Sequence, residues 1–166
     1  MPEQRPTRRQ ALAAGLAGLG ALALGRAGPA AARGADEGRA LTELIRAEED
    51  AVFVYRTAGI ADVAATFAEH DTEHARALAS HLEALGMPIP GPTRGRDDLA
   101  PDGLAVLQAP AGEARLRTAI AYERSLIAGG VRRLGALEQP NTVRTAATVL
   151  ASHAQHLLSL ELISRR

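Results

Sequence analysis

The residues of this chain that could do chemistry are acids and imidazoles placed where a helix should be apolar. Glu48 interrupts a stripe made by Leu41, Leu44, Ile45, Val52 and Tyr55 at helical spacing. Glu123 does the same between Leu116, Ile120, Ile127 and Leu134. His70, Asp71 and His74 share a zone of the face that carries Val63, Phe67, Leu78, His81 and Leu85. His153 sits at the centre of a face with Ala146, Leu150, Leu157 and Leu160, and His156 lies on its flank. A buried carboxylate without a partner costs several kcal/mol. Two carboxylates facing imidazoles are most simply explained by a cation held between them. The carboxylates Glu48 and Glu123 and the imidazoles His74, His153 and His156 are therefore candidate metal ligands. Structural carboxylates paired with buried Arg or His remain an alternative reading. Glu49 and Glu73 are substitutes in type, but their helical angles point them outward or to the flank.

Four helices must position these groups, near residues 37–56, 62–85, 113–137 and 142–163. Gly59 breaks the first, and Gly86 is a natural C-terminal stop for the second. Gln139-Pro140-Asn141 makes a tight turn after which Asn141 or Thr142 can cap the fourth helix. Residues 87–112 are a proline-rich linker, with a short helix near 102–107. The depths agree. Glu48 lies about twelve residues before the first turn and His74 about fourteen after it. Glu123 lies about sixteen before the last turn, and His153 and His156 about thirteen and sixteen after it. The expected fold is all-α, two antiparallel hairpins joined by a long crossover. A linker of about 25 residues can span one bundle length. An up-down bundle with a loose loop is the other arrangement open to this pattern.

Composition narrows the classes. The chain has 166 residues, 46% hydrophobic and 23% charged, which is globular. Aromatics are only 2%, so the core must be built from small and branched aliphatic residues, which favours helices over a sheet. Nineteen basic and 19 acidic residues give a net charge of zero, with no basic excess to attract nucleic acid or an anionic membrane. The absence of cysteine excludes disulfides, thiolate sites and thiol nucleophiles.

Residues 1–32 read as an export signal and residues 33–166 as the folded domain. Arg5, Arg8 and Arg9 form a basic start, residues 11–25 an apolar run too short for a membrane span, and Ala30-Ala31-Ala32 a small-residue cleavage site. Thr7-Arg8-Arg9-Gln10-Ala11-Leu12 resembles the twin-arginine export signal, with Ala11 where a larger apolar residue is usual. The mature chain is expected in the periplasm, the cell envelope or outside the cell, with no stable membrane span. An ordinary secretory signal and a retained anchor are the alternatives.

The helical pattern resembles the ferritin-like carboxylate di-metal proteins, whose bundles use one Glu from each of two helices and a Glu-x-x-His from each of the other two. Glu48 followed by Tyr55 resembles the first-helix signature. Asp71-Thr72-Glu73-His74 stands where the first Glu-x-x-His would be, Glu123 where the lone Glu of the third helix would be, and His153-Ala154-Gln155-His156 at the second Glu-x-x-His. The resemblance spans nearly the whole of residues 33–166. More narrowly, it resembles small exported bacterial proteins with a ferritin-like domain. Two positions depart from the pattern. Asp71 is one methylene shorter than Glu, and His153 replaces a carboxylate.

The resemblance implies a ferritin-like four-helix bundle, bound iron or manganese, and a metal oxidoreductase or metal handler. Three imidazoles beside three carboxylates shift preference toward zinc, copper or a single ion. A bundle without metal, acting as an envelope binding or structural module, is the competing reading, and a homodimer is compatible with either. Tyr55 and Tyr122 are expected to hydrogen-bond a ligand carboxylate, and His70 and His81 to lie behind the ligands or at the bundle end. No other chemistry shows. Gly129-Gly130 lies within a helix rather than after a strand, and Ser125, Ser152 and Ser159 lack a nucleophile's context.

Overall fold

In the computed structural model, the structure describes residues 29–60 and 62–166, with side chains from residue 34 onward. The basic start and apolar run of the expected leader lie outside the described residues. The fold is all-α. Its helices are α1 (Pro29–Ala58), α2 (Ala64–Ala84), α3 (Pro101–Gln108), α4 (Glu113–Leu134) and α5 (Pro140–Ile163), with a 3-10 turn at Arg96–Asp98 and no strand among the described residues. None of these helices is long and apolar enough to cross a membrane. One compact unit covers Arg33–Arg166.

Glycine ends the first two helices as their spacing predicts. Gly59 and Gly86 adopt φ of 60° and 70°, the left-handed conformation that only a residue without Cβ adopts cheaply. The start of α5 differs from expectation. Gln139 occupies the cap, with Pro140 in the first turn and no side-chain cap. Proline's fixed φ suits that position, and its missing N–H costs nothing there. Thr142, expected as a cap, is buried instead, 3.3 Å from His81 Nδ1. α4 stops at Leu134, and Leu137 packs from the following turn beside Leu41, Leu78 and Val149.

Contacts between the long helices set their directions. Glu48 meets His74 and Tyr55 meets Phe67, so α1 and α2 are antiparallel. Glu43 meets Arg133 while Tyr55 meets Glu123, so α1 and α4 are antiparallel. His81 meets Thr145 while His70 meets His156, so α2 and α5 are antiparallel too. In α4 and α5, Glu123 meets His153 and Arg124 meets Glu161. Two apolar clusters result. One, around Val54, Tyr55, Phe67, Val106 and Leu160, lies toward the α1–α2 turn. The other, around Leu41, Ile45, Leu78, Leu82 and Val149, lies toward the opposite end. The acids and imidazoles sit between them.

The linker is fastened rather than loose. Asp50, nearly buried, accepts from the Thr93 hydroxyl at 2.6 Å and from the Ala100 amide at 3.1 Å. α3 then lies against α1, so close that a Cβ on Gly103 would come 3.2 Å from Val54 Cγ2. An Asp50→Ala substitution is expected to cost about 1–3 kcal/mol, since both donors lose a charged acceptor. Urea denaturation checks this, and limited proteolysis should show faster cleavage within residues 91–100. Unchanged stability and cleavage would mean that α3 docks through its apolar face alone.

Candidate metal centre

Each long helix brings one part of the site inward. α1 supplies Glu48, α2 supplies Asp71 and His74, α4 supplies Glu123, and α5 supplies His153 and His156 one turn apart. Glu48, Asp71, Glu123, His153 and His156 are all at most 2% exposed, and His74 is partly buried. All six sequence candidates therefore converge, and Glu73 is exposed while Glu49 is partly so. Ligand atoms of Glu48, Asp71, His74 and His153 lie within 4.8 Å of one another, as do those of Glu123, His153 and His156. These buried groups could hold a metal ion. His153 belongs to both sets.

A continuous hydrogen-bonded chain runs through the cluster. His74 Nδ1 donates to Glu48 Oε2 at 3.1 Å. His153 Nε2 lies 3.0 Å from Glu48 Oε1, and its Nδ1 lies 2.9 Å from Glu123 Oε2. The Tyr55 hydroxyl donates to Glu123 Oε1. Carboxylates only accept, so both nitrogens of His153 donate and the ring is a cation in the metal-free protein. The electrostatics follow. Burial opposes charge on Glu123, but His153 above all, with Tyr55, outweighs it and holds the carboxyl at about 2. Burial likewise opposes charge on Glu48, and His153 and His74 still hold it below its ordinary value. Burial disfavours the His74 cation, yet Asp71 and Glu48 lift it to about 9. His153 rises well above its ordinary value because Glu48 and Glu123 outweigh its burial.

Asp71 is the exception. It is fully buried, and neither oxygen finds a hydrogen-bond partner among the described residues. Burial pushes its carboxyl up. His74 Nδ1 and His156 Nδ1 stand off at 3.6 and 3.8 Å from Oδ1. His156 Nδ1 has no hydrogen-bond partner among the described residues either, and lies 3.5 Å from Glu123 Oε1. Unpartnered buried polar atoms are rare because each costs about 1–3 kcal/mol. A carboxylate and an imidazole nitrogen both left over in one spot have the donor types a divalent cation takes. Each of the two ligand sets contains one of these unpartnered groups.

His70, exposed on α2, meets His156 Nε2 through its Nδ1 at 3.1 Å, and Phe67 stacks on the His156 ring with centroids 3.9 Å apart. When His156 Nε2–H donates to His70, the Nδ1 lone pair faces Asp71 and Glu123. That tautomer is the one ligation requires. His70 thus stands behind a candidate ligand, as its position in the sequence suggests, while His81 binds Thr142 and Thr145 away from the cluster. Tyr55 meets a carboxylate as expected. Tyr122 does not, and its hydroxyl has no partner among the described residues. Nothing in helical spacing distinguishes the two tyrosines. Only the placement of Glu123 beneath Tyr55 does.

These shifts fix how the metal-free protein should respond to pH. Glu123, depressed from 4.5 to about 2, contributes stability present above 4.5 and lost as pH falls toward 2. His74, raised from 6.5 to about 9, contributes stability complete below 6.5 and lost as pH rises through 9. Glu48 follows Glu123 in sign, and His153 follows His74. Asp71 shifts upward, so its burial costs more as pH rises. Denaturation midpoints of metal-free protein should therefore peak between pH 4.5 and 6.5 and fall on both sides. A maximum above pH 8 would contradict the imidazolium assignments.

Compared with protein-family models, with curated proteins and with solved structures, the chain finds no match.

Proposed function

We propose that this chain is an exported metal-binding protein with a ferritin-like four-helix bundle, whose Glu48, Asp71, His74, Glu123, His153 and His156 hold one or two divalent ions. The helix directions support the architecture. With α1 antiparallel to α2 and to α4, α2 and α4 run the same way, so residues 85–112 must recross the bundle between two hairpins. Export rests on the Arg8-Arg9 signal and the apolar run that follows it.

The observation that carries the metal reading is Asp71, a fully buried carboxylate with no hydrogen-bond partner among the described residues, beside an equally unpartnered His156 Nδ1. Glu48, Asp71, His74 and His153 would hold one position, or Glu123, His153 and His156 another. Iron or manganese, as the family resemblance implies, would bring redox and Lewis-acid chemistry to a dry core. The protein's share is separate from that. Phe67 and His70 orient His156, the two apolar clusters exclude water, and Tyr55 holds Glu123 in place. Three imidazoles favour zinc or copper more than an all-carboxylate set would.

A metal-free structural module is the second reading. It is favoured by the satisfied chain His74–Glu48–His153–Glu123–Tyr55, which needs no ion. Metal analysis of protein purified without chelator separates the two, run beside a Glu48→Ala, Glu123→Ala double variant. Near-stoichiometric metal that disappears in the variant supports the metal reading, and its identity selects redox chemistry or sequestration. No uptake of iron, manganese, zinc or copper after reconstitution overturns it.

A further inference from the structure

We propose that the outer face of α5 binds a second copy of this chain, whose own α5 lies antiparallel to it in a two-fold dimer. The inference is independent of the metal reading.

The face is defined first by what it lacks. Residues 145–160 contain no acid, arginine or lysine. The other long helices carry charge along their exposed sides, with Glu43 and Arg46 on α1, Glu69 and Glu73 on α2, and Arg117 and Arg124 on α4. α5 buries Ala146, Val149, His153, His156 and Leu160. Ala147, Ala151, Ala154, Leu158 and Leu162 recur every three or four residues on its opposite side, and all five are exposed. Leu158 and Leu162 are 56% and 50% exposed. Exposed leucines scattered singly are ordinary, but two sharing one uncharged face make a patch. Val131, also 56% exposed, stands on α4 next to Gly130, which packs against Leu150 of α5.

Shape and charge together identify the occupant. The bulky residues of the face lie in its C-terminal half and the alanines in its N-terminal half. An antiparallel copy centred between Ala154 and Gln155 sets Leu158 against the partner's Ala151, and Leu162 against the partner's Ala147. Large side chains then meet small ones along the whole face. A parallel copy would set leucine on leucine and leave gaps between alanines. The ends match as well. Arg144, exposed and without an ion-pair partner among the described residues, stands just before the face. Glu161 stands just after it and gives only one oxygen to Arg124. Antiparallel pairing brings Arg144 within one turn of the partner's Glu161, twice per dimer. α5 ends at Ile163, so Arg165 lies beyond the paired length. A net charge of zero leaves no overall repulsion between copies. A lipid surface fits less well, since alanine offers little apolar area to bury in it.

The test is analytical ultracentrifugation of the full chain in chelator. One helix face is smaller than a standard interface, so a dissociation constant of about 10 µM is expected. Leu158→Glu should weaken the dimer about 100-fold, because two carboxylates would be buried in each dimer. Leu158 is open in the single chain, so the melting temperature of that variant's monomer should hold. Ile89→Glu, exposed on the linker, is the control and should leave the dimer unchanged. The sequence has no cysteine, so Ala154→Cys places a single thiol beside the two-fold axis. Air oxidation should link two chains through it, and should not do so through Ser80→Cys, exposed on α2. A chain monomeric at every concentration, a dimer that withstands Leu158→Glu, or equal cross-linking through Ser80→Cys would overturn the proposal. Monomers that sediment with phosphatidylglycerol vesicles, and cease to do so in Leu158→Glu, would overturn it in favour of a lipid surface.

Discussion

Glu123→Ala should remove about 3–5 kcal/mol of stability from the metal-free protein, the usual effect of deleting one partner of a buried ion pair. Glu123 is fully buried and accepts from two sides, the His153 Nδ1–H at 2.9 Å and the Tyr55 hydroxyl. Its loss strands an imidazolium with Glu48 as its remaining acceptor, and leaves a buried phenol unpartnered. Small domains are stable by about 5–15 kcal/mol, so the variant should sit near the edge of folding. Glu123→Gln tests the origin of the effect. Its carboxamide keeps the volume but brings an N–H₂ against donors, so an intermediate loss is expected. Glu43→Ala is the surface comparison. Its half-exposed pair with Arg133 should be worth under about 1 kcal/mol. Urea denaturation of the three metal-free variants checks the order. If Glu123→Ala cost no more than Glu43→Ala, the buried chain would not be holding the four helices together, and the metal-free structural reading would lose its support.

Glu48, His74, Glu123 and His153 were legible in the sequence because each is polar at an apolar phase of its own helix, while Asp71 and His156 came from the resemblance to a Glu-x-x-His pair. That signal is local. It needs no knowledge of what the helix packs against. Asp50 and Glu37 carried no such signal, although both are buried. Asp50 lies two residues past Glu48, on the opposite side of α1. It is covered only because the linker and α3 return over that face, a contact 43 to 50 residues away in sequence. Glu37 is buried near the far end, where it accepts from the Gln139 amide across 102 residues. Helical periodicity describes one stripe per helix, and α1 has two. The start of α5 escaped for a different reason. Side-chain capping and a first-turn proline are alternative solutions to the same unsatisfied amides, and Pro140-Asn141-Thr142 offers both. The proline prevailed because Thr142 was taken inward by His81.

Asp71→Ala should move stability in opposite directions with and without metal, which makes it the sharpest discriminator of what the cluster is for. In the metal-free protein Asp71 contributes no hydrogen bond, and its burial is unfavourable. Alanine removes two unpartnered oxygens and is the better helix former mid-way along α2, at the cost of a small void and of the attraction between Asp71 and the His74 cation 3.6 Å away. A gain of about 1 kcal/mol is expected from these opposing effects. In the presence of a divalent ion the sign reverses. A ligand that binds only the folded state stabilises it by about 4 kcal/mol at a thousand times its dissociation constant. Deleting Asp71, a buried carboxylate in the set with Glu48, His74 and His153, should remove most of that increment. Thermal melts of wild type and variant, each with chelator and with iron, manganese or zinc, read the comparison directly. Selection for stability alone would not retain a residue whose removal stabilises the fold. A variant more stable than wild type in chelator and less stable in metal therefore assigns Asp71 to ligation. A variant more stable under every condition leaves the carboxylate without a metal role, and a variant less stable in chelator places Asp71 among the structural acids with Glu123.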